Sequence, residues 1–263
     1  MILQDEVLDL STSQGPMRTY LYRPVASGRY PGVVFYSEIF QQTGPIQRAA
    51  RFLAGHGFVV AVPEIFHELN PIGTVLGYDK AGTDKGNADK VAKTIASYDE
   101  DAQVLIEALS NHTACSGALG TMGICIGGHL AFRAAMNRSI RAAACFYATD
   151  IHKRSLGKGM NDNSLDRIPE ISGELLMIWG KQDPHIPTEG RALIYQALTK
   201  AERQFTWHEF NAQHAFIRDE GPRYDSELTG ICWSLVLRLF ARTLMGGEPI
   251  RETGHHTSAG GCC

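Results

Sequence analysis

The stretch "TMGICIGGHLAF" at residues 121–132 places Cys125 between two glycines, with a third glycine and His129 soon after. The apolar residues of "GALGTMGIC" predict a buried strand that ends at Cys125, and "IGGHLAFRAAMN" predicts a helix that leaves it. A sharp turn between the two would push the thiol out at the carboxyl end of a sheet, and small neighbours would allow the strained, closely packed backbone. The amides at the helix start favour a thiolate. Cys125 is therefore either an exposed nucleophile or, in the simpler interpretation, a buried structural thiol.

Short apolar runs and longer stretches with helical periodicity alternate along the chain. This alternation predicts an α/β fold with a mostly parallel central sheet and helices on both faces. A polar, glycine-bearing stretch at residues 67–96 predicts an excursion over the surface, and the helix after it is expected to carry acids in its first turn. The predicted strands are 17–23, 30–38, 58–66, 117–125, 140–148, 173–180 and 204–210, and the predicted helices are 47–57, 97–112, 126–137, 188–201 and 222–245.

The 263 residues suit one large α/β domain, which we expect over residues 1–250. The chain has no internal repeats and no internal linker. The remaining residues, 251–263, have the composition of a disordered tail. The adjacent Cys262 and Cys263 in that tail resemble the prenylated ends of Rab-type GTPases, but the chain contains no phosphate-loop motif, so a plain tail is the simpler interpretation.

Composition argues against several classes of partner. The formal net charge of −3 gives no electrostatic footprint for nucleic acid or an acidic membrane surface. No apolar run approaches the length of a membrane span, and the acidic N-terminus is unlike a signal peptide. The six cysteines are scattered without zinc-ligand spacing, which predicts reduced thiols in a cytoplasmic protein with no metal and no cofactor. The sequence makes no prediction of oligomeric state.

A nucleophile on such a turn needs an acid and then a histidine later in the chain. Asp183 follows the predicted strand "ELLMIWG", and His214 lies in the loop after the strand "QFTWHEF". A strand-end carboxylate can fix the tautomer of an imidazole, and a loop histidine can reach the thiol. We therefore predict a catalytic triad of Cys125, His214 and Asp183.

Three further histidines compete for the role of base. His185 lies on the loop of Asp183 itself, too close in sequence to bridge from that acid to Cys125. His208 lies within a predicted strand and is expected to be packed or at the surface. His129 is one helical turn beyond Cys125. It is expected to be structural or to contact the residues that form the site without taking part in the chemistry.

With these residues in order, the chain resembles the dienelactone hydrolase family, α/β-hydrolase-fold enzymes with a cysteine nucleophile. The resemblance rests on Gly123-Ile124-Cys125-Ile126-Gly127-Gly128, on Asp183 and His214, and on "SEIF" at residues 37–40, and it covers roughly residues 15 to 245. In the family, the glutamate of the motif that corresponds to "SEIF" contacts the resting thiol and helps to convert it to thiolate. The resemblance assigns that role to Glu38, for which capping of a helix is the alternative.

The resemblance also implies residues that bind substrate. The family's oxyanion hole corresponds to the backbone amides of Ile39 and Ile126, and its carboxylate-binding arginine to Arg218, which is otherwise a solvated loop charge. The second such arginine of the family has no counterpart, because the segment after the fourth strand offers only lysines, a histidine and a tyrosine. We regard Lys80, Lys85 and Lys90, together with His67 and Tyr78, as the groups available there.

The predicted function is cysteine-dependent hydrolysis of an ester or lactone bond through an acyl-enzyme. The partner is a small ester or lactone, and the matched arginine favours one that carries a free carboxylate. A thioesterase or general carboxylesterase would use the same triad and differ in its pocket. A scaffold that binds a small apolar ligand without catalysis is a third hypothesis, which the intact Cys-Asp-His order disfavours.

Overall fold

The strands of the chain all join one sheet. The structure, a computed structural model, describes residues 1–246. Its strands are β1 (Leu3–Thr12), β2 (Gly15–Pro24), β3 (Tyr30–Tyr36), β4 (Val59–Pro63), β5 (Cys115–Ile124), β6 (Ile140–Phe146), β7 (Glu174–Gly180) and β8 (Phe205–Phe210). They lie in the order β1-β2-β4-β3-β5-β6-β7-β8. The pairs β1–β2 and β2–β4 are antiparallel and the rest are parallel, so the predicted mostly parallel sheet is confirmed.

Helices cover both faces of this sheet. They are α1 (Gly44–Gly55), α2 (Lys80–Ala92), α3 (Ile95–Asn111), α4 (Ile126–Ala134), α5 (Thr188–Lys200) and α6 (Ser226–Leu244), with a short 3-10 helix at Ile168–Glu170. On β5, a Cβ at Gly120 would lie 3.0 Å from the Leu244 side chain of α6. The next residue, Thr121, points to the other face and donates a hydrogen bond of 3.0 Å to the Ala131 carbonyl of α4. The predicted α/β architecture is thereby confirmed.

The edge strand β1 was absent from the sequence prediction. Its residues, "LQDEVLDLST", mostly alternate between exposed and half-buried positions, because successive side chains point to opposite faces and one face of this edge strand is solvated. The central strands β3, β4 and β7 are instead buried along nearly their whole length and read as continuous apolar runs. The sequence analysis relied mainly on such apolar runs, so it predicted the central strands of the sheet and missed the edge strand β1.

Residues 67–96 are more ordered than a surface excursion. They contain α2, whose N-terminus is capped by Asp79 through a bond of 2.7 Å from the Gly82 amide. A Cβ at Gly86 would lie 2.8 Å from both the side chain and the carbonyl of Ile39, so α2 packs directly on the loop after β3. The two glycines and the scarcity of apolar residues in "KAGTDKGNADKVA" hide the helix from a search for hydrophobic periodicity.

The start of α3 also differs from the prediction. The helix begins at Ile95, two residues earlier than expected, and has no acidic residue in its first turn. Its N-terminus is stabilised by Thr94, whose hydroxyl accepts a hydrogen bond of 3.1 Å from the Ser97 amide. Capping by a hydroxyl therefore replaces the predicted interaction of acids with the helix dipole.

Four candidate site residues follow four parallel strands. Glu38 comes after β3, Cys125 after β5, Asp183 after β7 and His214 after β8. The carboxyl ends of parallel strands lie along one edge of a sheet, so the topology alone collects these side chains on one side of the molecule. The tail predicted over residues 251–263, with its two cysteines, lies outside the described residues, and a single domain over residues 1–250 stays a prediction.

Candidate active site

Cys125 occupies a strained turn between β5 and α4. Its φ of 63° and ψ of −123° are unusual for a residue with a side chain. A Cβ at Gly123 would lie 1.8 Å from the Gly127 carbonyl oxygen, and one at Gly127 would lie 2.2 Å from the Tyr36 carbonyl oxygen. Only glycine fits at either position. The sequence-based argument that small residues permit this turn therefore agrees with the geometry.

Cys125 differs from the other described cysteines in exposure. It is partly exposed, whereas Cys115, Cys145 and Cys232 are buried. Burial raises the pKa of Cys145 far above its ordinary value and that of Cys232 to about 12. Those two thiols are thus enclosed and protonated. The alternative of a buried structural thiol describes them and does not describe Cys125.

His214 and Asp183 form a close buried pair. His214 Nδ1 lies 2.6 Å from Asp183 Oδ2, and both side chains are almost inaccessible to solvent. The other carboxylate oxygen, Oδ1, accepts a hydrogen bond of 2.8 Å from the His185 amide. Because a carboxylate only accepts hydrogen bonds, Nδ1 carries a proton and Nε2 is left for the thiol. The structure brings together the acid and the histidine that the sequence paired.

The pKa of His214 depends on two neighbouring side chains, Cys125 and Asp183. Burial opposes protonation of the ring, but the negative charge of Cys125 and the hydrogen bond to Asp183 outweigh it and raise the pKa of His214 to about 10. The Tyr147 ring meets the imidazole edge to face, with centroids 4.9 Å apart. The surroundings of His214 therefore favour its protonated, imidazolium form.

The competing histidines lie elsewhere or play other parts. The His185 ring contacts the His214 ring with centroids 4.7 Å apart, and burial followed by the His214 charge lowers its pKa. His208 stacks on Phe210 within β8, at 6.0 Å between ring centroids. His129 is fully buried, and its Nε2 lies 2.7 Å from the Ser164 hydroxyl. His129 and His208 are thus packed residues, while His185 lines the site beside the base.

Glu38 is buried beside the triad without a hydrogen bond to Cys125. Its Oε2 accepts a hydrogen bond of 3.3 Å from the Tyr78 hydroxyl, and its Oε1 lies 3.6 Å from Arg218 Nη1. Burial raises the pKa of Glu38, against the opposing charges of Arg218 and His214. Within residues 1–246 its side chain accepts no hydrogen bond from a backbone amide, so it caps no helix. The position supports a role in the site, although its nearest partners are Arg218 and Tyr78.

Arg218 is enclosed and does not behave as a solvated loop charge. Its side chain is 11% exposed. Its guanidinium carbon lies 4.1 Å from the centroid of the Tyr78 ring, and its Nε donates a hydrogen bond of 3.0 Å to the Glu220 carbonyl. The sequence analysis offered Tyr78 only as one polar group of the segment after β4. The structure shows that it packs on Arg218 and also reaches Glu38.

The two amides of the expected oxyanion hole belong to Ile39 and Ile126. Ile126 is the first residue of α4 and lies next to Cys125, so its N–H has no partner within the helix. Ile39 follows Glu38 and lines the same pocket as Cys125. Neither amide donates a hydrogen bond to any atom of the described chain. Two free donors beside the thiol fit the role that the resemblance assigns to them.

The catalytic pocket, which Cys125 and His214 line, has a volume of about 200 Å³. Of the three lysines proposed to replace the missing arginine, only Lys90 lines it, and its Nζ lies 2.9 Å from Asp150. Lys80 and Lys85 instead form ion pairs within α2. His67 lies outside the pocket, in a buried cluster with Asp101.

Two cations of the pocket escaped the sequence analysis. Lys153 follows β6, and Arg223 lies between His214 and α6; both line the catalytic pocket. The rule that loops at the carboxyl ends of parallel strands meet could have singled out Lys153. No spacing rule points to Arg223. Together with Lys90 and Arg218, they give the pocket four basic groups against the two acids Glu38 and Asp150.

Within residues 1–246, no group of three or more histidine, cysteine, aspartate or glutamate side chains is arranged to hold a metal ion. No helix over that range is both long and apolar enough to cross a membrane.

Comparison with known proteins identifies the family. The chain matches the dienelactone hydrolase family over residues 17–244. It is 42% identical over 257 residues to a protein of Saccharomyces cerevisiae, with 93% of each chain covered. It is 29% identical over 227 residues to one of Synechocystis sp., covering 86% of this chain and 91% of the relative. Both relatives bear the name "Putative carboxymethylenebutenolidase".

A solved structure supports the fold independently. The crystal structure of a putative dienelactone hydrolase from Klebsiella pneumoniae superposes with a TM-score of 0.81 at 23% identity, covering 92% of this chain and 100% of that one. At this identity the likeness speaks for the fold alone, and it confirms the predicted α/β-hydrolase fold. The family match and the relative from Saccharomyces cerevisiae go further. The chain belongs to the dienelactone hydrolase family, which confirms the predicted class of enzyme, a hydrolase of lactone and ester bonds.

Proposed function

We propose that the protein hydrolyses ester or lactone bonds with Cys125 as nucleophile, His214 as acid and base, and Asp183 as the residue that orients His214. The observation that carries this proposal is the Asp183–His214 pair at 2.6 Å, set beside a partly exposed cysteine on a strained turn.

The proposed reaction begins with attack of the Cys125 thiolate on the carbonyl carbon. The carbonyl π electrons move to oxygen, and the amides of Ile39 and Ile126 stabilise the resulting oxyanion. When the carbonyl re-forms, the bond to the alkoxy oxygen breaks and His214 gives that oxygen its proton. The products of this half are a thioester on Cys125 and an alcohol, or the tethered hydroxyl of an opened lactone.

Water completes the cycle. His214, now neutral, takes a proton from a water molecule as that water attacks the thioester carbonyl. The C–S bond breaks, the carboxylic acid leaves, and Cys125 departs as a thiolate beside the imidazolium. Asp183 keeps the proton on Nδ1 throughout, so that Nε2 always faces the reacting atoms.

Glu38 is proposed as an acid–base group of the same site. It is buried beside Arg218, and burial raises its pKa above the ordinary value of a carboxyl group, as is common for acid–base groups in active sites. The resemblance to the family assigns it the conversion of the thiol to the thiolate. That role requires Glu38 to approach Cys125 more closely than it does beside Arg218 and Tyr78.

We further propose that substrates with a free carboxylate are preferred. Arg218 and Lys90 line the pocket, and a guanidinium can hold a carboxylate with two parallel hydrogen bonds. The relatives' name refers to carboxymethylenebutenolide, a lactone that bears such a group. The described cysteines are all free thiols, which supports the proposed cytoplasmic location.

Trapping of the acyl-enzyme tests the central proposal. The protein is mixed with an aryl ester, quenched in acid and digested, and the modified peptide is located by mass spectrometry. We expect an acyl group on the peptide that contains Cys125, and none in Cys125→Ala. An acyl group on a serine, or steady hydrolysis by Cys125→Ala, would refute the assignment. A panel of lactones, aryl esters and thioesters then ranks the possible leaving groups.

A further inference from the structure

A second cavity borders the catalytic pocket. This cavity, which we call the α1–α6 cavity, has a volume of about 300 Å³ and lies between α1 and α6. Glu38 and Arg218 line both the α1–α6 cavity and the catalytic pocket, whereas Cys125 and His214 line the catalytic pocket only. The two spaces therefore share the Glu38–Arg218 pair as a wall. Nothing in the proposed mechanism uses the second space.

The α1–α6 cavity is lined mainly by apolar groups. Ile46 and Phe52 contribute from α1, and Trp233 from α6. The Phe52 and Trp233 rings pack with centroids 4.7 Å apart, yet 41% of Phe52 stays exposed to solvent. An apolar group placed there would remove this aromatic surface from water, which favours binding. The lining thus suits a hydrocarbon or aryl group.

The charged groups of the cavity lie at its two ends. At the outer rim, Arg48 forms an ion pair of 2.6 Å with Asp219, so neither is free to bind a ligand strongly. At the inner end are Glu38, Arg218 and Ile124. Ile124 immediately precedes Cys125, so the inner end of the cavity lies directly behind the nucleophile's strand.

The shared wall is held by a long contact. The 3.6 Å between Glu38 Oε1 and Arg218 Nη1 exceeds the 2.7–3.2 Å of an N–H···O hydrogen bond. Tyr78 is a partner of both residues: its hydroxyl bonds to Glu38, and its ring packs on Arg218. Separation of the two side chains therefore breaks no direct hydrogen bond between them.

We propose that the α1–α6 cavity is a second compartment of the active site, which takes an apolar aryl or alkyl group of the ester substrate while the reacting carbonyl lies at Cys125. The group enters between Glu38 and Arg218 when these separate. The catalytic pocket of about 200 Å³ is small for an organic ligand, since such sites usually measure about 300–1,000 Å³. The added space of about 300 Å³ brings the whole site into that range. This inference rests on the proposed ester hydrolysis.

Filling the cavity tests the inference by kinetics. Ala49 lies on α1 and lines the α1–α6 cavity, so Ala49→Phe places a ring inside it. The substrates are p-nitrophenyl acetate and p-nitrophenyl 4-phenylbutanoate, which share a leaving group. We expect the ratio of kcat/KM for the long ester to that for the short ester to fall at least tenfold in Ala49→Phe. An unchanged ratio would overturn the inference.

Two further variants control that result. Ala192→Phe makes the same change at an exposed alanine of α5, far along the sheet, and should leave the ratio unchanged. Thr229→Leu fills the cavity from α6 and should reproduce the loss if Ala49→Phe does not fold. A similar fall of the kcat/KM ratio in Ala192→Phe would mean that an added phenylalanine perturbs the enzyme generally. That result would count against the compartment.

Binding without catalysis separates this inference from the proposed function. In Cys125→Ala, 4-phenylbutanol should alter tryptophan fluorescence, since Trp233 lines the cavity, and Ala49→Phe should weaken its binding at least tenfold. If Ala49→Phe weakens this binding but the wild-type protein hydrolyses no ester, ester hydrolysis is refuted while the cavity remains a binding site. Unchanged binding, or a change of oligomeric state in Ala49→Phe with no change of selectivity, would overturn the compartment itself.

Discussion

Arg218 Nη1 lies 3.6 Å from Glu38 Oε1, so the arginine expected to bind a substrate carboxylate already faces a carboxylate of the protein. An incoming anionic substrate would compete with Glu38 for the same guanidinium. Removing Arg218 would in turn leave the Glu38 carboxylate buried without its nearest cation, which is costly. Substitutions at the two positions should consequently affect each other instead of adding independently.

Arg218→Met should erase the preference for substrates with a free carboxylate. For the wild type we expect a lactone acid to exceed its methyl ester about 10-fold in kcat/KM, equivalent to about 1.4 kcal/mol. The preference is modest because Glu38 already lies 3.6 Å from the Arg218 guanidinium and competes with the substrate carboxylate. The measurement is kcat/KM for both substrates in both proteins. An equal loss of kcat/KM on both substrates would mean that Arg218 supports the His214 loop. If the wild type shows no preference for the lactone acid, acidic lactones are excluded as the natural class of substrate.

The same comparison should be made with Glu38→Gln as background. Glutamine carries no charge, so Arg218→Met then leaves no buried carboxylate behind. In this background Arg218→Met should again leave neutral-ester hydrolysis nearly unchanged, and it should lower the free energy of unfolding, measured by urea denaturation, less than it does in the wild type. Identical effects in the two backgrounds would show that the long ion pair has no energetic consequence.

Glu38→Gln alone should reduce catalysis more than folding. The substitution keeps the size of the side chain and its bond from Tyr78, but it removes a group that can exchange a proton. We expect kcat/KM to fall by about 10²-fold or more, at the low end for a general acid–base group. The rate of alkylation of Cys125 by iodoacetamide should change as well. A lower melting temperature with near-normal kinetics would make Glu38 a structural residue.

Cys125→Ala should abolish hydrolysis and leave the fold intact, because the thiol is partly exposed and fills no core space. Cys145→Ala and Cys232→Ala are the matched controls: both remove buried thiols and should cost about 1–3 kcal/mol of unfolding free energy with little loss of kcat/KM. The measurements are ester hydrolysis and chemical denaturation. Equal activity in Cys125→Ala would exclude it as the nucleophile. Cys125→Ser should also be poor, since an alkoxide is far harder to form.

The sequence predicted the parts of the site that depend on chain order. Cys125, Asp183 and His214 could be found because each follows a predicted parallel strand, and such strands all end at one edge of the sheet. The gathering of these residues at the carboxyl edge of the sheet thus follows from its topology. The sequence predicts that topology through the alternation of apolar runs with stretches of helical periodicity.

Contacts between loops could not be predicted from the sequence. Tyr78 and Arg218 are far apart in the chain, and nothing in either segment indicates that the ring packs on the guanidinium at 4.1 Å. The placement depends on α2, a helix with two glycines and little apolar periodicity, which packs Gly86 against Ile39. A close approach of that kind depends on tertiary contacts, so the Glu38–Arg218 pair and the α1–α6 cavity behind it could not be foreseen.

The pH dependence of catalysis should reflect the raised pKa of His214. The imidazolium that protonates the leaving group persists until the pH rises through about 10, well above the ordinary histidine value. We expect kcat/KM for a neutral ester to hold from neutral pH to about 10 and then to fall. Asp183→Asn removes both the charge and the hydrogen bond of a carboxylate, so the fall should move to lower pH. An alkaline limit unchanged by Asp183→Asn would contradict the role of that pair.

The segment before α3 contains a buried cluster of charged side chains around Lys93. Lys93 is fully buried, and its Nζ lies 2.8 Å from Glu68 Oε2 and 2.7 Å from Asp101 Oδ2. Lys93→Met keeps the apolar stem but leaves two carboxylates without their cation, which should cost about 3–5 kcal/mol of unfolding free energy. Lys80→Met removes an exposed pair within α2 and should cost about 0.5 kcal/mol or less. Urea denaturation of both variants measures the contrast. Similar small losses would show that Glu68 and Asp101 become protonated or hydrated without Lys93, and that this cluster does not anchor α2 and α3 to the loop after β4.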